Sequence, residues 1–166
     1  MDRHQRLERR IRVLLTGFAI GIVLSGVTAF PLTQELTALS NWLGAHPGDG
    51  GLKGWIATVR DALAATDAKY PFLAYGYDWL AFGHLMIAAA FYGPIKDPIR
   101  NVFIVKWGIF CCLATFPIIL ICGPLRGIPV GWQFVDSTFG IIGCIPLYFV
   151  LRDIRELERG IQTIAK

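Results

Sequence analysis

Hydrophobic positions fall into four long runs along this chain, separated by segments of a different character. The first run, about residues 12–33, carries no formal charge between Val13 and Gln34. A hydrocarbon core needs roughly 20 helical residues, so this run predicts a membrane-crossing helix. Runs at about 78–95, 101–122 and 131–151 predict three more, the second being the shortest. The joins that follow the second run (Gly93, Pro94, Asp97, Pro98) and the third (Gly123, Pro124, Gly127, Pro129) are short and rich in helix breakers. Neighbouring helices are therefore expected to run antiparallel.

The segment between the first two runs, about 34–75, is too polar to cross and too regular for a linker. Leu36, Leu39 and Leu43 recur at helical spacing, and Leu52, Trp55, Ile56, Val59 and Leu63 repeat the pattern beyond a turn at His46–Gly51. An external amphipathic helical hairpin is predicted, lying on the membrane interface or over the mouth of the helices. Trp42, Trp55, Tyr70, Phe72, Tyr75, Tyr77 and Trp79 crowd the same boundary, the depth that amphipathic rings prefer. After the fourth run a charged helix, about 152–166, carries Ile154, Leu157, Ile161 and Ile164 on one stripe. That stripe is expected to rest on the membrane or on a partner.

Composition agrees with this pattern: of 166 residues, 54% are hydrophobic and 17% charged, against about 45–50% and 25% in soluble domains. The expected fold class is an all-α integral membrane four-helix bundle forming a single domain. A net charge of +4 would suit a nucleic acid, but its distribution argues otherwise. Arg3, Arg6, Arg9, Arg10 and Arg12 precede the first run, while Arg152, Arg155, Arg159 and Lys166 follow the last. With the N-terminus in the cytoplasm, Lys96, Arg100 and Lys106 join that side, giving twelve basic residues against four (Lys53, Arg60, Lys69, Arg126). This positive-inside bias predicts that both termini are cytoplasmic. A cleavable secretory signal ending near Val27 and Ala29 is disfavoured, because the apolar stretch exceeds the usual 7 to 15 residues.

Three ionisable residues fall inside the runs: His84, Lys106 and Asp136. Such groups cost about 2.5 to 3.5 kcal/mol each on insertion scales. Lys106 is near an end among large apolar neighbours and is expected to snorkel. His84 shares a face with Ala81 and Ala88, and Asp136 shares one with Gly140, Gly143 and Cys144, which Gly17, Gly21 and Ser25 of the first run match. These small residues predict helix contacts. Both ionisable groups lie a similar number of residues from the same surface. The expectation is a His84–Asp136 pair, direct or through water, rimmed by Asp78, Arg126, Gln133, Ser137 and Thr138. The alternative is a polar clamp that fixes helix register.

The remaining inventory points away from known chemistry. Cys111, Cys112, Cys122 and Cys144 form no C-x-x-C pair and read as small packing residues. His84 is the only histidine within a run, so haem lacks its second axial ligand, and no metal or other cofactor is expected. Phosphate-loop, zincin and nucleophile-elbow motifs are missing from the sequence. Gly93-Pro94-Ile95-Lys96 and Gly123-Pro124-Leu125-Arg126 resemble each other, which shared turn chemistry explains.

The phrases VTAFPL (Val27–Leu32), YPFLAYGYDWLAFGH (Tyr70–His84), GPIKDPIRN (Gly93–Asn101) and GPLRGIPVGWQFVDSTFGIIG (Gly123–Gly143) resemble a family of small uncharacterised bacterial membrane proteins. The likeness spans about residues 11–156. It implies a bacterial inner-membrane location and carries no activity. The expected function is a noncatalytic binding or accessory role, with an outward-facing polar pocket for a small amphiphile, lipid or membrane partner. A proton-coupled carrier or lipid-modifying enzyme built on His84 and Asp136 is the alternative. Membrane lipids are the expected partners, with a homo-oligomer made plausible by the Gly17–Ser25 face.

Overall fold

The computed structural model describes residues 3–164; Lys166 lies outside them, as do the side chains of Ile161 and Ile164. Every regular element among the described residues is a helix: α1 (Arg3–Ala29), α2 (Leu32–Leu43), α3 (Gly51–Lys69), a 3-10 turn (Pro71–Ala74), α4 (Tyr75–Ala90), α5 (Tyr92–Lys96), α6 (Val102–Leu125) and α7 (Val130–Ile164). Three helices are long and apolar enough to cross a membrane: α1, α6 and the Val130–Gly160 portion of α7, with mean hydropathies of 1.9, 2.2 and 1.8. Their outer surfaces are apolar as well, with Ile20, Leu24, Phe103, Phe110, Leu120, Ile142 and Tyr148 all exposed.

In the second apolar run the uninterrupted helix α4 stops after 16 residues, at Ala90, short of the expected end near 95. Pro94 has no N–H to give to the carbonyl of Ala90, and the backbone tightens just before it. The Phe91 N–H bonds to Ala88 at 3.1 Å, and the helix resumes when the Ile95 N–H reaches Phe91 O at 3.1 Å. Residues 75–96 are thus one helical path with a break at Phe91.

Helix α1 packs between α4 and α7, and α6 covers another side of α7. At the end that carries the termini, α5 also touches α6, and the elements surround Phe91, which has no exposure. Its ring meets Phe18 of α1 edge-on at 4.8 Å. On α6, a Cβ at Gly108 would stand 2.7 Å from the Phe91 ring and 2.9 Å from Leu147 of α7, so only glycine fits there. Ile11, Leu15, Val105, Leu147, Val150, Ile154 and Leu157 complete this core. Of the apolar stripe of the charged C-terminal helix, Ile154 and Leu157 are buried in this core with Ile11 and Leu15 of α1.

At the opposite end, α2 and α3 pack on each other as a hairpin. Gly44 adopts φ 56° and ends α2, with its N–H on Asn41 O and that of Ala45 on Ser40 O, a left-handed cap that glycine makes without steric cost. Ser40 is fully buried. It accepts a 2.6 Å bond from Arg60 Nη1 of α3, and its hydroxyl reaches Ala45 O. The α3 helix, about 28 Å long at 1.5 Å per residue, then crosses this end of the molecule. Leu52 near its start packs against Gly131 of α7, and Asp67 near its end accepts the Tyr77 hydroxyl of α4 at 3.0 Å.

Candidate functional site

Helix register places His84 and Asp136. On α1, Gly26 is where α4 comes closest: a Cβ there would lie 2.9 Å from His84 Cβ and 3.0 Å from Ala81 O. Phe18 meets Phe91 further along, so α1 and α4 are antiparallel, with His84 level with Gly26. Against α7, Phe18 approaches Gly143 and Arg10 approaches Asp153. Counting back from Gly143 to Asp136 while counting forward from Phe18 on the antiparallel α1 reaches Ser25. His84 and Asp136 therefore stand at one height, on the two helices that flank α1 at Ser25 and Gly26.

They do not pair. Among the described residues no hydrogen bond or ion pair joins His84 to Asp136, and α4 makes its main contacts with α1, α5 and the 3-10 turn rather than with α7. Instead His84 Nδ1 lies 2.8 Å from Leu80 O. A carbonyl only accepts, so Nδ1 donates to it, and Nε2 has no hydrogen-bond partner among the described residues. His84 is half-buried and lies two turns along the α4 stripe from Tyr77, which bonds to α3. Its flank of α4 is thus the one beneath α3.

Asp136 is half-buried and has neither a hydrogen bond nor an ion pair among the described residues. It lies one turn before Gly140, where a Cβ would stand 2.5 Å from Thr115 Oγ1 and 2.8 Å from Cys112 O of α6. Gly143 meets both Cys112 and Phe18. The small residues of α7 therefore serve α6 first, and Gly143 also meets α1 at Phe18. Gly17 and Gly21 have nothing within 4 Å of a Cβ position. Gly26, not the Gly17–Ser25 stripe, brings α1 against another helix. Ala81 and Ala88 are buried on the α4 face.

The expected rim residues separate. Gln133 lies over Gly123 and donates to Ile128 O at 2.8 Å, closing the α6–α7 turn. Ser137 and Thr138 donate to carbonyls of their own helix. Arg126 is exposed in the turn after α6. Asp78 faces the other flank of α4, in a shallow recess with Tyr75, Trp79 and Phe82. Lys106 is exposed.

Two polar links escaped the sequence reading. Asp67 accepts both the Thr33 hydroxyl at 2.8 Å and the Tyr77 hydroxyl, tying α2, α3 and α4 together. Asp153 is fully buried beside Arg10. Cys112 and Cys144 are thiol neighbours across the α6–α7 contact. No group of three or more His, Cys, Asp or Glu side chains among the described residues is placed to hold a metal ion. Comparison with protein-family models, with curated proteins and with solved structures gives no match.

Proposed function

We propose that this is a bacterial inner-membrane protein that crosses the bilayer four times and holds the polar head of an amphiphile at the height of His84 and Asp136, on the side opposite its termini. The observation that carries the reading is a pair of groups unsatisfied among the described residues, the Nε2 of His84 and the Asp136 carboxyl, which helix register puts level with each other near Ser25. Unpaired ionisable groups at membrane depth are expensive and call for an occupant. A ligand with both a donor and an acceptor satisfies them, and its chains would lie against the apolar helix surfaces.

The fourth crossing is supported by register. Residues 75–96 run beside α1 from the hairpin end to beyond Phe18, and at 1.5 Å per residue they are about 33 Å long, enough for the hydrocarbon core. The basic residues of α1 and of the α7 extension share one end, through Arg3–Glu156 and Arg10–Asp153, and the positive-inside rule assigns it to the cytoplasm. The α2–α3 hairpin is then external. The inner-membrane location accords with the resemblance to small bacterial membrane proteins. Open space at Gly17 and Gly21 leaves room for a second copy on α1.

The core around Phe91 disfavours a carrier. Leu15, Phe91, Val105 and Leu147 are apolar and have no exposure, so a polar path inward from His84 would have to pass through them. Native mass spectrometry of gently extracted protein tests the binding reading. Wild-type protein is expected to retain an amphiphile that the His84→Ala, Asp136→Asn double variant loses; equal retention by both contradicts the site.

A further inference from the structure

Arg10 and Arg152 come from opposite ends of the chain and meet at Asp153. Each approaches the buried carboxylate through Nε, Arg10 at 2.9 Å and Arg152 at 3.8 Å. Each guanidinium also lies over the ring of Phe149, 5.6 and 5.8 Å from its centroid. Two cations thus share one acid, which leaves one positive charge in excess. Both arginines are exposed, and neither donates a well-directed hydrogen bond to a partner among the described residues. A guanidinium carries five N–H donors, so the donor capacity of the pair is unused. Its place along the helices is equally specific. The uncharged run of α1 begins at Val13, less than one turn after Arg10, and the apolar run of α7 ends at Leu151, beside Arg152. Val13 on the Arg10 face, and Tyr148 and Ile145 on the Arg152 face, are exposed. The two guanidiniums therefore stand where the apolar outer surface gives way to charge, at the end that carries the termini.

From this arrangement we infer that Arg10 and Arg152 together bind the phosphate of an anionic lipid, whose acyl chains run along Val13, Tyr148 and Ile145. Phosphate oxygens are the acceptors that the planar guanidinium fork matches. Asp153 and Phe149 hold both forks in place before a ligand arrives, which lowers the cost of ordering two long side chains. The excess positive charge repels a headgroup that carries its own ammonium, so an anionic phospholipid is preferred to a zwitterionic one. Exposed apolar surface directly beside the forks favours a lipid over a free phosphate, which gains nothing from it. The inference rests on α1 and α7 crossing a membrane and on neither His84 nor Asp136, so it stands or falls separately from the amphiphile site.

The test is a lipid competition on full-length protein in detergent, read by native mass spectrometry, between phosphatidylglycerol and phosphatidylethanolamine of identical acyl chains. Both lipids carry a phosphate, and they differ in headgroup charge. In detergent no leaflet potential acts, so residues in contact with the lipid set the preference. Wild type should favour phosphatidylglycerol, and Arg10→Gln and, separately, Arg152→Gln should each lower its retention by about tenfold, near the low end for a hydrogen bond to a charged group. Arg100→Gln removes an exposed charge from the turn before α6, at the same end, and should leave retention unchanged. Arg152→Gln keeps the closer Arg10–Asp153 pair and so preserves the test if Arg10→Gln fails to fold. Equal retention of the two lipids by wild type, unchanged retention in a folded Arg152→Gln protein, or the same loss in Arg100→Gln as in Arg152→Gln overturns the inference. So does displacement of the lipid by inorganic phosphate at concentrations no higher than those of the lipid itself, which would assign the arginines to a free anion.

Discussion

Asp153 has no solvent exposure, and its Oδ2 lies 2.9 Å from the Nε of Arg10, contributed by the other end of the chain. Neither carboxylate oxygen accepts a well-directed hydrogen bond, so charge proximity holds the pair. Arg152 adds a second guanidinium at 3.8 Å. Phe149 lies beneath both arginines, 5.6 and 5.8 Å from its ring centroid. This cluster fastens the start of α1 to the extension of α7.

Removing the cation should therefore hurt more than removing the acid. Arg10→Met leaves the buried carboxyl with only the more distant Arg152 beside it and should cost about 1 to 3 kcal/mol, between an exposed pair and a buried one. Asp153→Asn leaves no buried charge and should cost less. Thermal unfolding in detergent checks the order, with Arg10→Met lowering Tm by roughly 2 to 10 °C.

Gly26 offers a sharper test of packing. Its approach to His84 and Ala81 leaves no room for a methyl group, so Gly26→Ala should force α1 from α4 and cost about 1 to 3 kcal/mol. Gly17→Ala and Gly21→Ala meet nothing and should be neutral or slightly stabilising, since alanine is the better helix former. Melting curves of the three single variants distinguish this interface from the stripe that the sequence periodicity favoured.

The hairpin hangs on Asp67. Asp67→Ala removes two hydrogen bonds to a charged acceptor, each worth about 1.5 to 3 kcal/mol at most, and Tyr77→Phe removes one. Limited proteolysis in the turn between α2 and α3 should quicken in the order wild type, Tyr77→Phe, Asp67→Ala.

That turn also carries a pH signature. The His46 N–H bonds to Asp49 at 2.8 Å, and with Lys53 nearby this holds the carboxyl below its ordinary value. A depressed folded-state pKa contributes stability that is complete above the ordinary carboxylate value of about 4 and is lost as pH falls through the depressed one. Hydrogen exchange at the His46 amide, corrected for its intrinsic rate, should stay constant from neutral pH to near 4 and show loss of protection only below it. In Asp49→Asn this pH step should vanish.

Long apolar runs were readable because length and hydropathy decide them without knowledge of neighbours, and α1, α6 and α7 each hold a stretch long and apolar enough to cross; α1, however, ends at Ala29, short of the expected boundary near 33, because Pro31 follows and α2 already begins at Leu32. The end of α4 was harder, since Pro94 acts on a carbonyl one turn earlier, inside a run that looks continuous. Counting residues along α1 from its contacts with His84 and Gly143 puts His84 and Asp136 near one level. Their failure to touch depends on α1 lying between their helices, which helix counting along one chain does not reveal. Asp153 sits in a segment rich in Arg and Glu that reads as a solvated face, and its partner is Arg10, far away in sequence. Asp67 similarly looks like one more polar residue on an amphipathic helix until Thr33 and Tyr77 are folded against it.

The most direct test of an outward-opening site between His84 and Asp136 is chemical access to Ser25. In a Ser25→Cys protein lacking its four native cysteines, and sealed in right-side-out vesicles, a membrane-impermeant thiol reagent added outside should label the new thiol, and a retained amphiphile should slow that labelling. Labelling only from the cytoplasmic side, or a rate indifferent to stripping and restoring the bound amphiphile, would contradict the account.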